Sequence, residues 1–94
     1  MNKDGVTLSY IAAENGHTEA LRTLHRLGAN LNIPASDGST PAIVAAENGH
    51  AETVQILGEL GVDLDAQMEG GATAAFVAAC NGHAKVFFTC TFSI

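Results

Sequence analysis

Basic residues are few in this chain: four Lys and Arg stand against ten Asp and Glu, a formal charge of −6. No basic stripe offsets that balance, and a phosphate backbone would be repelled, so nucleic acid is not the expected partner. Aromatic residues make up only 5%, which leaves Ala, Leu, Ile and Val to build a core. Charged residues of both signs reach 15%, below the ~25% of an ordinary soluble domain. Long hydrophobic runs are missing, because Gly, Asn and Asp keep interrupting them. Nothing approaches the ~18 consecutive apolar residues of a membrane span. Met1-Asn2-Lys3-Asp4 has no basic region followed by an apolar stretch, so no secretory leader is expected. Cys80 and Cys90 are the only cysteines and stand in no pairing or ligand pattern. Both read as free thiols of a reducing, cytoplasmic compartment. Gly70-Gly71 lacks a following Lys, so it is a turn and not a phosphate-binding loop.

What is present is repetition. Ala45-Ala46-Glu47-Asn48-Gly49-His50 is matched by Ala12 through His17, and by Ala78 through His83 with Cys80 replacing the glutamate. The step is 33 residues each time, and Thr7, Thr40 and Thr73 keep it, as do Gly5, Gly38 and Gly71. A period of that length marks stacked structural repeats. Ninety-four residues lie near the lower limit for a single core.

The middle repeat is the clearest. Asp37-Gly38-Ser39 is a turn signal, since Asp bonds its own backbone and Gly tolerates positive φ. Thr40 offers a capping hydroxyl, and Pro41 follows where its missing N–H costs nothing. A short helix is expected through Asn48, closed by Gly49. A second helix opens at His50 and Ala51, with Val54, Leu57 and Leu60 on its apolar face, and stops at Gly61. Residues 62–66 then run extended to the turn at Gly70-Gly71. The first repeat places Leu21, Leu24 and Leu27 on the equivalent face. The paired alanines carry only methyl groups, so helices can approach more closely than the usual ~8–10 Å. Each unit needs its neighbour to bury its apolar face.

The pattern Asp-Gly-x-Thr-Pro, Ala-Ala-x-x-Gly-His and Leu-Gly-x-Asp resembles the ankyrin repeat over essentially the whole chain. A tetratricopeptide array has a similar repeat length but lacks the Gly-His turn and the Thr-Pro cap. The resemblance implies an all-α solenoid of helix-turn-helix units joined by β-turn or hairpin loops. It forms one domain over 1–94, with repeats at 4–36, 37–69 and a partial one at 70–94. The usual Thr-Pro-Leu-His start is missing its histidine in all three copies: Thr7-Leu8-Ser9-Tyr10, Thr40-Pro41-Ala42-Ile43 and Thr73-Ala74-Ala75-Phe76. The hydrogen bonds such a histidine makes to the neighbouring turn must be absent. The third repeat departs from the pattern after Val86 and reads as a truncated or foreign ending.

Catalytic and metal chemistry find little support. His17, His50 and His83 form a ladder with steps of ~10 Å, whereas zinc needs its nitrogen ligands ~2 Å from one centre. Each imidazole is expected to brace the turn between its own two helices. Glu14 and Glu47 are also one repeat apart, beyond the separation of a retaining carboxylate pair. Cys80 has no base near it in sequence except His83. No cofactor and no metal are expected.

The family resemblance implies a non-catalytic protein-binding module whose partner lies across turn tips and first-helix ends. The tip positions are Lys3, Asp4 and Val6, then Ser36, Asp37 and Ser39, then Glu69, Gly70 and Ala72. The groove positions are Glu14, Asn15, Glu47, Asn48, Cys80 and Asn81. This surface is acidic and polar, which suits a basic or amide-rich peptide. An alternative reading makes the chain a fragment of a larger ankyrin-containing signalling enzyme, channel or ubiquitin-ligase adaptor, a reading favoured by its missing polar caps. By repeat position Phe87 should be buried like Leu21 and Val54, with Phe88 and Phe92 exposed. Those two rings beside Ile94 would form an apolar tail patch through which the chain self-associates.

Overall fold

Each of the three units is opened by a threonine. The computed structural model describes residues 7–92, with their side chains except at 88 and 90–92. Thr7, Thr40 and Thr73 have extended backbone, and their hydroxyls accept from the N–H of Tyr10 (3.1 Å), Ile43 (3.2 Å) and Phe76 (3.2 Å). These caps satisfy donors that the first helical turn leaves unpaired. They open α1 (Leu8–Glu14), α3 (Pro41–Glu47) and α5 (Ala74–Cys80), each of seven residues. Pro41 takes the position where its ring preorganises the helix.

All three short helices close alike. The His17 N–H donates to Ala12 O at 2.8 Å and the Gly16 N–H to Ala13 O at 3.2 Å; His50 with Gly49, and His83 with Gly82, repeat the pair. This closure needs a left-handed residue. Gly49 has φ +77°, and a Cβ there would also stand 3.0 Å from the His83 ring, so glycine is required on two counts.

The second helices are α2 (Thr18–Arg26), α4 (Ala51–Glu59) and α6 (Ala84–Phe92), nine residues each. α6 keeps the full nine residues although the sequence departs from the repeat pattern after Val86. Nothing between Ala84 and Phe92 is a Gly or Pro, so the backbone has no reason to stop. The first helices α1, α3 and α5 pack side by side, as do α2, α4 and α6. Among the described residues the elements are six α-helices and a single 3-10 turn at Glu69–Gly71, with no strand. This agrees with the all-α solenoid expected.

One apolar cluster runs through the stack and includes Ala13, Ala45, Ala46, Leu21, Val54 and Leu57. Two expectations about it fail at its ends. Leu27 is 77% exposed, whereas its equivalent Leu60, with a repeat on either side, is half-buried. Phe87 is 38% exposed, whereas Leu21 and Val54 are fully buried. Those two are covered by the repeat that follows them, and among the described residues none follows α6. The tail patch expected from Phe88, Phe92 and Ile94 lies outside the described side chains.

Candidate partner-binding surface

The turn tips are built from backbone hydrogen bonds. In the first described tip, Asp37 Oδ1 accepts from Ser39 N–H at 2.9 Å, Ala35 N–H donates to Ser39 O at 2.8 Å, and Gly38 N–H donates to Ala35 O at 2.9 Å. The second repeats the pattern, with Met68 N–H to Ala72 O and Gly71 N–H to Met68 O, both 2.9 Å. Glu69 N–H donates to Asp37 O at 3.0 Å and joins the two tips. A Cβ on Gly38 would stand 3.1 Å from Glu69 N and from Met68 Cα, so the tips touch through main chain.

This geometry sorts the expected tip residues. Ser36, Asp37, Glu69 and Gly70 are exposed, and Ala72 is half-buried. Ser39 is buried, and its hydroxyl accepts from Tyr10 Oη at 3.4 Å. It therefore ties the first repeat to the second and offers no side chain to a partner. Tyr10 occupies one of the places where the family's histidine is missing, and it restores one tie to the neighbouring turn. Lys3, Asp4 and Val6 lie outside the described residues.

The groove residues Glu14, Asn15, Glu47, Asn48, Cys80 and Asn81 are all exposed, at the C-terminal ends of α1, α3 and α5. Their backbones carry a second ladder. Glu14 O accepts from Asn48 Nδ2 at 3.1 Å and from His50 Nε2 at 3.0 Å. Glu47 O accepts from Asn81 Nδ2 at 3.5 Å and from His83 Nε2 at 3.1 Å. A carbonyl oxygen only accepts, so Nε2 carries the proton in both rings. The acceptors are terminal helix carbonyls with no partner inside their own helix. Each histidine thus braces the preceding repeat, not the turn between its own helices. The three-fold recurrence of Asn-Gly-His was the sequence signal for that role, but its direction depends on how the units stack. Asn15 has no preceding repeat among the described residues, and its Nδ2 folds back to Ile11 O at 3.0 Å.

Among the described residues, no group of three or more His, Cys, Asp and Glu is placed to hold a metal. No described helix is long and apolar enough to cross a membrane. A comparison with curated proteins finds no match. The family model for ankyrin repeats matches residues 9–89 in three copies, which covers the described tips and nearly all of the three helix pairs. Threonine caps, Gly-His closures and laddered tips therefore have one common origin: the chain belongs to the ankyrin-repeat family, whose repeats generally serve as protein-binding modules.

Proposed function

We propose that this protein is a cytoplasmic, non-catalytic scaffold. It holds a peptide rich in basic or amide side chains across its turn tips and first-helix ends. The observation that carries the reading is the charge of the middle repeat. All seven of its charged residues are acidic: Asp37, Glu47, Glu52, Glu59, Asp63, Asp65 and Glu69. Every one of them is exposed. Asp37, Glu47 and Glu69 stand at the tip and groove, on backbone held by the two ladders, so little ordering is needed on binding. Glu14 adds a further charge one repeat away. Asn48 and Asn81 already donate through Nδ2, which leaves Oδ1 as an acceptor for a partner's ammonium, guanidinium or amide.

The test uses a fluorescent Lys/Arg-rich peptide, titrated with the protein at low and at high salt. Exposed charges are screened beyond ~8 Å at physiological ionic strength, so affinity should fall as salt rises. Glu47→Lys should weaken binding further while leaving the fold intact, since the side chain is solvated. Affinity unchanged in both experiments overturns the electrostatic reading.

A further inference from the structure

Among the described residues, both ends of the stack present an interface that the chain already makes twice inside itself. Ile43 is 2% exposed beneath the third repeat, but Phe76, at the same position one repeat later, is 59% exposed. Ala46 is fully buried there and Ala79 is exposed. The other face mirrors this. Val44 is 3% exposed against the first repeat, while its equivalent Ile11 is 40% exposed, and Leu8 is 71% exposed where Pro41 is buried. Leu8, Ile11, Ala12, Ala20 and Leu24 line an open apolar groove of about 500 Å³ on that face. One end is thus the lower half of a repeat interface and the other end is its upper half.

We propose that the chain stacks head to tail on copies of itself, the face of α1 and α2 seated on the face of α5 and α6. The array then continues the 33-residue period across the molecular boundary. Two observations besides the apolar match favour a second copy over another occupant. The first is the hydrogen-bond ladder. Glu14 O and Glu47 O each take an Asn and a His from the following repeat. The next acceptor in that series is Cys80 O. The matching donors, Asn15 and His17, stand at the opposite end, where Asn15 folds back on its own helix. The second observation is charge. Positions 19, 52 and 85 are equivalent in the repeat, so the inner steps match Glu19 with Glu52 and Glu52 with Lys85. A head-to-tail step matches Lys85 with Glu19 of the next copy, opposite in charge. Lys85 is also the sole charge in residues 70–94, and the charges of residues 1–36 cancel, so the excess acid sits in the middle repeat. The joining faces therefore do not repel.

Such a contact is heterologous, so it yields open chains unless the rotation per copy closes a ring. It leaves the tips and the Glu47 and Asn48 side chains free, and of the groove it takes only the Cys80 carbonyl and the Asn15 amide, so it is separable from the peptide reading above. It also differs from association through the Phe88 and Phe92 side chains, because it requires both ends of the molecule.

The experiment follows from that requirement. Sedimentation of the full chain should show an average mass that climbs with concentration and does not level at a dimer. Leu8→Glu blocks one face and Phe76→Glu blocks the other. Both are exposed, and both favour their helices: glutamate in the first turn of α1 complements the dipole, and at position 76 it completes a capping box with Thr73. Circular dichroism and melting will check that each stays folded. Each variant alone should lose association, and a mixture of the two should form a one-to-one dimer and nothing larger. His17→Ala, which removes the ladder donor from that face, should weaken parental association. A parent that stays monomeric, a variant that still associates alone, or a mixture that stays monomeric overturns the proposal.

Discussion

The middle repeat and the two outer ones share the same caps, closures and alanine pairs under different cover. α3 buries every residue from Pro41 to Ala46. α1 buries only Ser9, Ala12 and Ala13, and α5 only Ala74 and Ala78. The backbone does not account for this, since caps, closures and helix lengths are the same in all three. Burial in a one-dimensional array is decided by neighbours. A position facing the preceding repeat is bare in the first unit, and one facing the following repeat is bare in the third.

The sharpest way to break that comparison is to make one substitution at equivalent positions. Leu57→Ala, at a fully buried site, should cost ~2–5 kcal/mol by leaving a cavity. Leu24→Ala, one repeat earlier and only half-buried, should cost less than the lower figure, ~2 kcal/mol. Urea unfolding at low protein concentration measures both. Equal costs would mean that the first repeat is covered as well as the second.

Overpacking separates the second alanines of the pairs. Ala46→Leu forces extra methyl groups against the third repeat and should destabilise by ~1–3 kcal/mol. Ala79→Leu adds the same groups to an exposed face and should stay within ~0.5 kcal/mol of the parent. Melting curves of the two variants give the comparison. A harmless Ala46→Leu would place that methyl toward solvent and contradict the stacking.

The smallest contrast lies in the histidines. His50→Ala removes a hydrogen bond to Glu14 O and should cost ~0.5–1.5 kcal/mol. His17→Ala, with no acceptor among the described residues, should leave monomer stability unchanged in the same urea measurement. A matching loss at His17 would show that it braces its own turn.

The helix boundaries were the most legible part of the fold. Thr40 with Pro41, and Gly49 with His50, act on their own backbone within five residues, so the chemistry that starts and stops α3 is written locally. The tip residues were partly legible. Asp37 lies where its turn signal put it, but Ser39 points inward, because Tyr10, twenty-nine residues away in sequence, reaches its hydroxyl. The groove was legible as exposed surface, while the use of Asn48 and Asn81 as interlocks was not. An amide that can reach solvent or a neighbouring carbonyl looks the same in sequence.

By itself the sequence determined the period, the caps, the glycine closures and therefore the family. Each of these depends on short-range steric and hydrogen-bonding rules that hold whatever surrounds the unit. Only the tertiary structure decided which identical residues do different work. His50 braces a preceding repeat, and His17 has no such acceptor among the described residues. Ala46 is sealed where Ala79 is bare, and Phe87 stays partly in solvent although Leu21 and Val54 do not. Burial and cross-repeat bonding belong to pairs of units, and a repeat carries no local mark of whether another stands above it.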